Sequence, residues 1–583
     1  RTAPGGDFRG RRACWGSWRH EPVVLPVIEG TWMSQRRDEA VPDGEETVAG
    51  TTTAVTDRDR TAFKVALFGF AGALMIAEWA WTDTNPTSGT VSMNQVLARL
   101  LGALGVVVLS GSWLATRRWR TPQLWRVLAV WVLPLMVCPP VMSSDGWAYA
   151  AQGYLLANGF NPYEVPQGRA GDLGALVDSH WRGSTAVYPP GSLWGQAGAV
   201  ALSGGRPLAT IITLRMVAVA ALILLGMAVT RVARLAGVDE HRAFWVAVVN
   251  PLTVLQVVGG VHNDGMQTAI GVWALVVAWT LARRGQYWWA AIGGGALVGL
   301  AGTVKQPGVL FGLGVVAVIW AQLCNALAPG DGSQGEEARQ RRGRPGDGRS
   351  RRGAPRAATS RSRAARSGAA RSAASARKSS AHASTSPGAA GGRAARPASW
   401  ARLVAFLAVA AMCGVGVFAA VSGIAGLGLG WLNPSGGNPV SVTSDAPIAL
   451  VVQMLGWAGV SVQQMTPVAT AVSLSLTGIG IMWCWVQWGP TDSRAGDPLR
   501  FQAAILAVYL VCSVALQPWY LVALVAIVAL MELSSRRWEM TVTVILTATA
   551  LSFLQWFCSP FLALPIAVLG AFLVWKVGAR VGD

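Results

Sequence analysis

The chain has 583 residues, 52% of them apolar and only 13% charged, where a soluble protein of this size carries roughly a quarter charged residues. Apolar runs of about 17–25 residues recur along it, the length that crosses a bilayer core; this excludes an ordinary soluble domain, and the alternating ten-residue segments of a β-barrel are missing. An all-α polytopic integral membrane protein is expected, with a formal net charge of +19 that is concentrated in one segment.

Residues 1–32 are polar and rich in Trp and Arg, and the first Met is Met33. A start-site extension is expected there, with translation beginning near Met33 and residues 1–62 forming a largely disordered cytoplasmic tail. No short apolar segment with a small-residue cleavage site precedes the first span, so 63–82 is expected to remain as that span. Further spans are expected near 96–116, 124–142, 207–230, 243–261, 265–282, 286–304, 308–326, 401–424, 467–488, 501–516, 521–533, 540–557 and 561–578. That makes about 14, within a range of about 12–15. They divide into an N-terminal membrane region, 63–326, and a C-terminal one, 401–583, joined by a loop over 327–400.

Arginines set the orientation. Arg117, Arg118 and Arg120, Arg231, Arg234 and Arg242, Arg283 and Arg284, and Arg536 and Arg537 all fall on one side if the amino terminus is cytoplasmic. The joining loop falls there too. Its residues 331–399 hold 16 Lys and Arg against 4 acids in a matrix of Ala, Ser, Gly and Pro. Such a segment cannot bury enough apolar area to offset chain entropy and reads as disordered. A contact for anionic lipid or nucleic acid is one reading of it; a solvated linker is the simpler one, and no nucleic-acid partner is expected. The seven Cys are scattered without metal or disulfide spacing, and most read as small buried hydrophobes.

The opposite, outward edges carry the polar residues that packing explains poorly. "VMSSDGWAYAAQGYLLANGFNPYEVPQ" (141–167) puts Asp145 at the mouth of the third span. An acid there reads as a general base facing a lipid-borne substrate, or equally as a helix cap in "SSDG". "GFNPY" (159–163) is a turn that fixes Tyr163, either beside a sugar ring or as an interfacial anchor. "YPPGSLWGQAGAVAL" (188–202) is too short to span and reads as an interfacial helix. "GGVHNDGMQ" (259–267) sets His262, Asn263 and Asp264 in a short hairpin, as a phosphate or sugar site or as a capped turn; the spacing is not that of a metal site. "TVKQPG" (303–308) puts Lys305 at a helix end, as a phosphate ligand or a snorkelling cation. "QPWY" (517–520) is another Pro-aromatic turn.

The order of these pieces, "SDGWAYAAQG…NGFNPYE", "YPPGSLW", "GGVHNDGMQ", "TVKQPG" and "QPWYL", resembles the actinobacterial polyprenol-phosphomannose-dependent α-1,6-mannosyltransferases, the MptA/MptB group of the GT-C superfamily. The likeness runs over about residues 60–570, outside 1–32 and the basic insert. It implies a GT-C-type bundle at the plasma membrane, with an active site built by extracytoplasmic loops, 143–206 foremost. It also implies an inverting transfer of mannose from polyprenyl-phosphomannose to a mannan or lipoglycan acceptor, among membrane lipids. Asp145 is then the base, Lys305 and His262 attend the phosphate, and Tyr149, Asn161, Tyr163, Tyr188, Asn263, Asp264, Gln517, Trp519 and Tyr520 line the sugar sites. No cofactor is implied. The chain departs from the paired Asp-x-Asp of many such enzymes, which weakens the expectation of a bound divalent cation, and its acid follows the third expected span rather than the first. A relative using another lipid-linked sugar or a protein acceptor is the nearest alternative. A lipid-linked-sugar flippase is the rival of another class, but transporters place ionisable groups near mid-membrane in repeated halves, and no repeat is visible.

Overall fold

The computed structural model describes residues 48–83, 92–327, 399–432, 444–491 and 494–581. The start-site extension, and the basic insert except for Ser399 at its end, lie outside these residues. The chain divides into residues 1–59 and 60–583, and the second unit carries the fold. Among the described residues twenty α-helices follow one another: α1 Val48–Asp83, α2 Met93–Ala115, α3 Thr121–Met136, α4 Asp145–Ala157, α5 Gly171–Ala175, α6 Ser179–Arg182, α7 Pro190–Ser203, α8 Pro207–Ala236, α9 Glu240–Ala247, α10 Pro251–Thr253, α11 Asp264–Arg283, α12 Tyr287–Val304, α13 Phe311–Leu327, α14 Trp400–Ala425, α15 Pro447–Trp457, α16 Val462–Trp488, α17 Pro498–Cys512, α18 Leu521–Val528, α19 Ser535–Leu554 and α20 Pro560–Val581. Among the described residues the one β feature is an isolated bridge between Thr491 and Arg494.

Among the described residues eight helices are long and apolar enough to cross a membrane, and nine if one bent pair counts as a span. The eight match the expected spans at 63–82, 96–116, 207–230, 265–282, 286–304, 308–326, 401–424 and 467–488. The other expected spans are shorter, more polar or broken, so a count of about 14 is not reached by length and composition. Two of the breaks matter for the site. The expected span at 124–142 stops being helical at Met136, because Pro139 and Pro140 have no N–H to continue it. The expected span at 243–261 bends by 46° between Glu240–Ala247 and Pro251–Gly259. Asn250 restarts the chain there: its side-chain oxygen accepts from the Thr253 N–H at 2.9 Å, with Pro251 at the first helical position. Val254–Gly259 then continues with π-type spacing, a geometry that recurs at functional sites. At the front of the molecule, α1 begins at Val48, inside the stretch expected as a disordered tail. Likewise 143–206, expected as a loop, is largely helical through α4 to α7.

Small residues let the helices meet closely. Gly295 and Gly299 of α12 face Ala410 and Gly414 of α14, and a Cβ on either glycine would collide with the facing carbonyl. This is the small-xxx-small contact by which helices pack without a hydrophobic drive between them. Gly153 of α4 likewise lies on the main chain of Gln196 in α7. The paired basic loops meet at one end of the bundle: the Arg242 guanidinium lies 3.3 Å over the Trp538 ring, and Arg283 donates to the Leu235 carbonyl at 2.5 Å. Gly299→Val should therefore cost about 1–3 kcal/mol by overpacking and lower the thermal midpoint in detergent. Gly416→Val, in open space, should leave that midpoint unchanged.

Candidate active site

Asp145 is the first residue of α4, where a carboxylate meets the positive end of the helix dipole. Its N–H donates to Ser143 Oγ at 3.1 Å. "SSDG" is thus a helix start, but no side-chain cap bond forms at Ser144, and the Asp145 carboxylate points elsewhere. Its Oδ2 lies 3.8 Å from Nδ1 of His262, and its side chain is 17% exposed. Removal from water pushes the Asp145 carboxyl up to about 6; Lys305 draws it down, and Asp264 and Asp178 add to the rise.

His262 is buried, and neither ring nitrogen has a hydrogen-bond partner among the described residues. Its ring stacks on Trp519 with centroids 3.9 Å apart and planes 14° apart. Burial, reinforced by Lys305, holds the imidazole well below its usual range and therefore neutral. Across the site, Lys305 Nζ donates to Asp264 Oδ2 at 2.6 Å, both side chains being buried. The same ammonium lies 4.2 Å from the centre of the Tyr520 ring and 5.9 Å from that of Tyr188. Such a pair is held by geometry rather than by net gain, since stripping either partner leaves an uncompensated charge. Tyr149 and Tyr188 share a hydroxyl contact at 3.2 Å and meet edge to face.

Five sequence-distant pieces are therefore brought together: Asp145 with Tyr149, Tyr188, His262 with Asp264, Lys305, and Trp519 with Tyr520. Asn263 serves the frame. Its Nδ2 donates to Ser192 Oγ at 3.1 Å, tying the hairpin to α7. Gln306 donates to the Val187 carbonyl at 2.8 Å and ties the Lys305 corner to the same place. Asn161 and Tyr163 are not in the cluster. Asn161 closes its own turn, accepting from the Tyr163 N–H at 3.1 Å and donating to Glu164 at 2.8 Å. Tyr163 is buried and donates to the Tyr188 carbonyl at 2.8 Å, so it supports Tyr188 from behind. Gln517 opens the single turn Pro518–Tyr520 that delivers Trp519 and Tyr520. Among the described residues no three His, Cys, Asp or Glu side chains gather as metal ligands.

Two residues escape the reading of the sequence. Tyr509, with Gln267 and Tyr520, lines a cleft of about 20 Å³ beside Asp264, room for about one water. Arg215 is fully buried in α8; a charge inside an apolar run was the available signal. A larger cavity, about 360 Å³, lies elsewhere, lined by Asp239, Arg242, Glu532 and Trp538. Arg215 and Arg234 are 19 residues apart on one helix, about 28 Å at 1.5 Å per residue, so this basic end is remote from Asp145.

Because the folded protein holds the Asp145 proton up to about 6 against an ordinary 3.8, ionisation opposes folding. Stability should fall as pH rises from about 4 to about 6 and stay reduced above it. Asp145→Asn should accordingly melt at a higher temperature than wild type at pH 7.5, with the gain vanishing near pH 4.

Residues 60–322 match the family described as alpha-(1->6)-mannopyranosyltransferase, N-terminal domain. Among curated relatives, a probable alpha-(1->6)-mannopyranosyltransferase of Mycolicibacterium smegmatis is 28% identical over 44% of this chain and 54% of its own. An alpha-(1->6)-mannopyranosyltransferase of Mycobacterium tuberculosis is 29% identical over 39% of this chain and 42% of its own. Alpha-(1->6)-mannopyranosyltransferase A of the same organism is 25% identical over 78% of each. The chain thus spans about half the length of the first two relatives and more of the third. No solved structure matches. Asp145, His262, Asp264 and Lys305 all lie within residues 60–322, the stretch that is similar to the alpha-(1->6)-mannopyranosyltransferase N-terminal-domain family.

Proposed function

We propose that the chain is a membrane glycosyltransferase that moves mannose from polyprenyl-phosphomannose to a mannoside of a cell-envelope lipoglycan, forming an α-1,6 linkage. The observation that carries this reading is the Asp145 carboxylate, desolvated beside a neutral His262 and within the field of Lys305. The names of the relatives support the sugar and the linkage.

The chemistry is a single displacement. An acceptor hydroxyl oxygen attacks the anomeric carbon from the face opposite the phosphate. The new C–O bond forms as the carbon–phosphate oxygen bond breaks, its electron pair leaving with the phosphate, and the hydroxyl proton passes to Asp145. The product is inverted relative to a β-linked donor. Phosphate is a good enough leaving group to depart without a general acid, so a single carboxylate suffices. A base serves best with its pKa near the working pH, and burial moves Asp145 in that direction. Lys305 spends one of its three N–H groups on Asp264, leaving two for a phosphate oxygen. Tyr188, Tyr520 and Trp519 offer aromatic faces for a sugar ring. The site opens to the extracytoplasmic face of the plasma membrane in this reading, as the basic loops at the far end require under the positive-inside rule.

Membranes carrying wild type or Asp145→Asn, given radiolabelled polyprenyl-phosphomannose and a short α-1,6-mannoside, test it. Transfer by wild type should fall about 10²–10⁴-fold in the variant, and the wild-type rate should rise with pH through about 6. Equal transfer by both would remove Asp145 as base. Transfer only from another lipid-linked sugar would replace the donor.

A further inference from the structure

We propose that Arg215 is the positioning residue of this site, clamping the non-helical segment that leads into Asp145 to the helix end that leads into His262. This rests on the reading of Asp145 as the base.

Arg215 is the ninth residue of α8 and has no exposed surface. Among the described residues no carboxylate pairs with it. Apart from one contact of Nη2 with Cys138 Sγ at 3.7 Å, its donors go to main-chain carbonyls. Nε donates to Val258 at 3.1 Å, and Nη2 to Pro139 at 2.8 Å and Gly259 at 3.0 Å. Nη1 donates to the Cys138 carbonyl. Two of these four carbonyls belong to the segment leading into Asp145, and two to the segment leading into His262. The Val141 N–H donates to the Gly259 carbonyl at 3.0 Å and ties the two segments directly.

The same two segments hold backbone strain. Met142 at φ 55° and Val261 at φ 63° are the non-glycine residues with positive φ among those described. Met142 stands three residues before Asp145, and Val261 immediately before His262. A β-branched residue in this region is an outlier, and such strain persists only where the surroundings over-determine it. A planar guanidinium with donors on two edges can hold both segments at once; an ammonium, a single point donor, cannot. A residue that merely packed α8 would have no reason to send its bonds to these two loops.

The test is Arg215→Lys in the purified full-length chain. Its readouts are amide hydrogen exchange and a pH–rate profile for mannosyl transfer. Exchange should rise within 137–144 and 258–263. The kcat should fall by about 100-fold, the cost of a misplaced catalytic group, with KM unchanged. Asp145 faces His262, Lys305, Asp264, Asp178, Tyr149 and Tyr188; loosened from them into water, it should titrate lower, so the acid limb should move to lower pH. A rate that falls only with the folded fraction, with an unmoved limb, would overturn the proposal, as would unchanged exchange in both segments. If Arg215→Lys fails to accumulate, Arg215→Lys/Val261→Gly decides. Glycine takes positive φ without strain, so folded protein should return, and no return overturns the clamp. If wild type transfers no mannose, the functional reading fails, while the exchange data still decide the clamp.

Discussion

An apolar helical bundle must satisfy its backbone polar groups from within, because no water is at hand to do it. This constraint is relaxed in two places that matter here, 137–144 and 260–263, where the chain leaves helical geometry and turns through positive φ. The carbonyls of Cys138 and Pro139 in the first, and of Val258 and Gly259 at the helix end just before the second, accept from one buried guanidinium, Arg215. Asp145, His262 and Asp264 hang from those two segments. One becomes the start of α4 and presents Asp145; the other presents His262 and then Asp264 at the start of α11.

The charges follow from that frame. Two carboxylates, an ammonium and an imidazole share a volume mostly closed to water. Lys305 and Asp264 answer one another at 2.6 Å, and their mutual neutralisation leaves Asp145 without a direct cation. Its nearest ionisable neighbour, His262, is held neutral by burial and sandwiched against Trp519. A carboxylate in that position is more basic than one in water, which is the property proton abstraction calls for. The stability given up in keeping it there belongs to the same arrangement.

Much of this was legible in the sequence, and the reason is local. Asp145, His262, Lys305 and the "QPWY" turn are polar or aromatic residues at helix ends with little packing value, so they stand out of an apolar background. The helices with unbroken apolar runs were equally plain. What the sequence hid was the effect of a single proline or asparagine inside a run that reads as continuous. Pro139 and Pro140 end α3 early, and Asn250 with Pro251 bends the chain before His262. Asn161 and Tyr163 lie outside the cluster that the structure brings together. Their turn was read correctly, but its side chains are spent on the turn itself and on the back of Tyr188. Arg215 was visible as a charge in an apolar run. Its partners were not, since they are carbonyls contributed by segments 76 and 44 residues away.

A structure of the chain bound to a non-transferable polyprenyl-phosphomannose analogue tests the central claim most directly. The account predicts the phosphate against Lys305, the sugar among Tyr188, Trp519 and Tyr520, and the Asp145 carboxylate on the far side of the anomeric carbon from the phosphate. A headgroup seated instead in the cavity lined by Arg242 and Trp538, or with its anomeric carbon out of reach of Asp145, would contradict it.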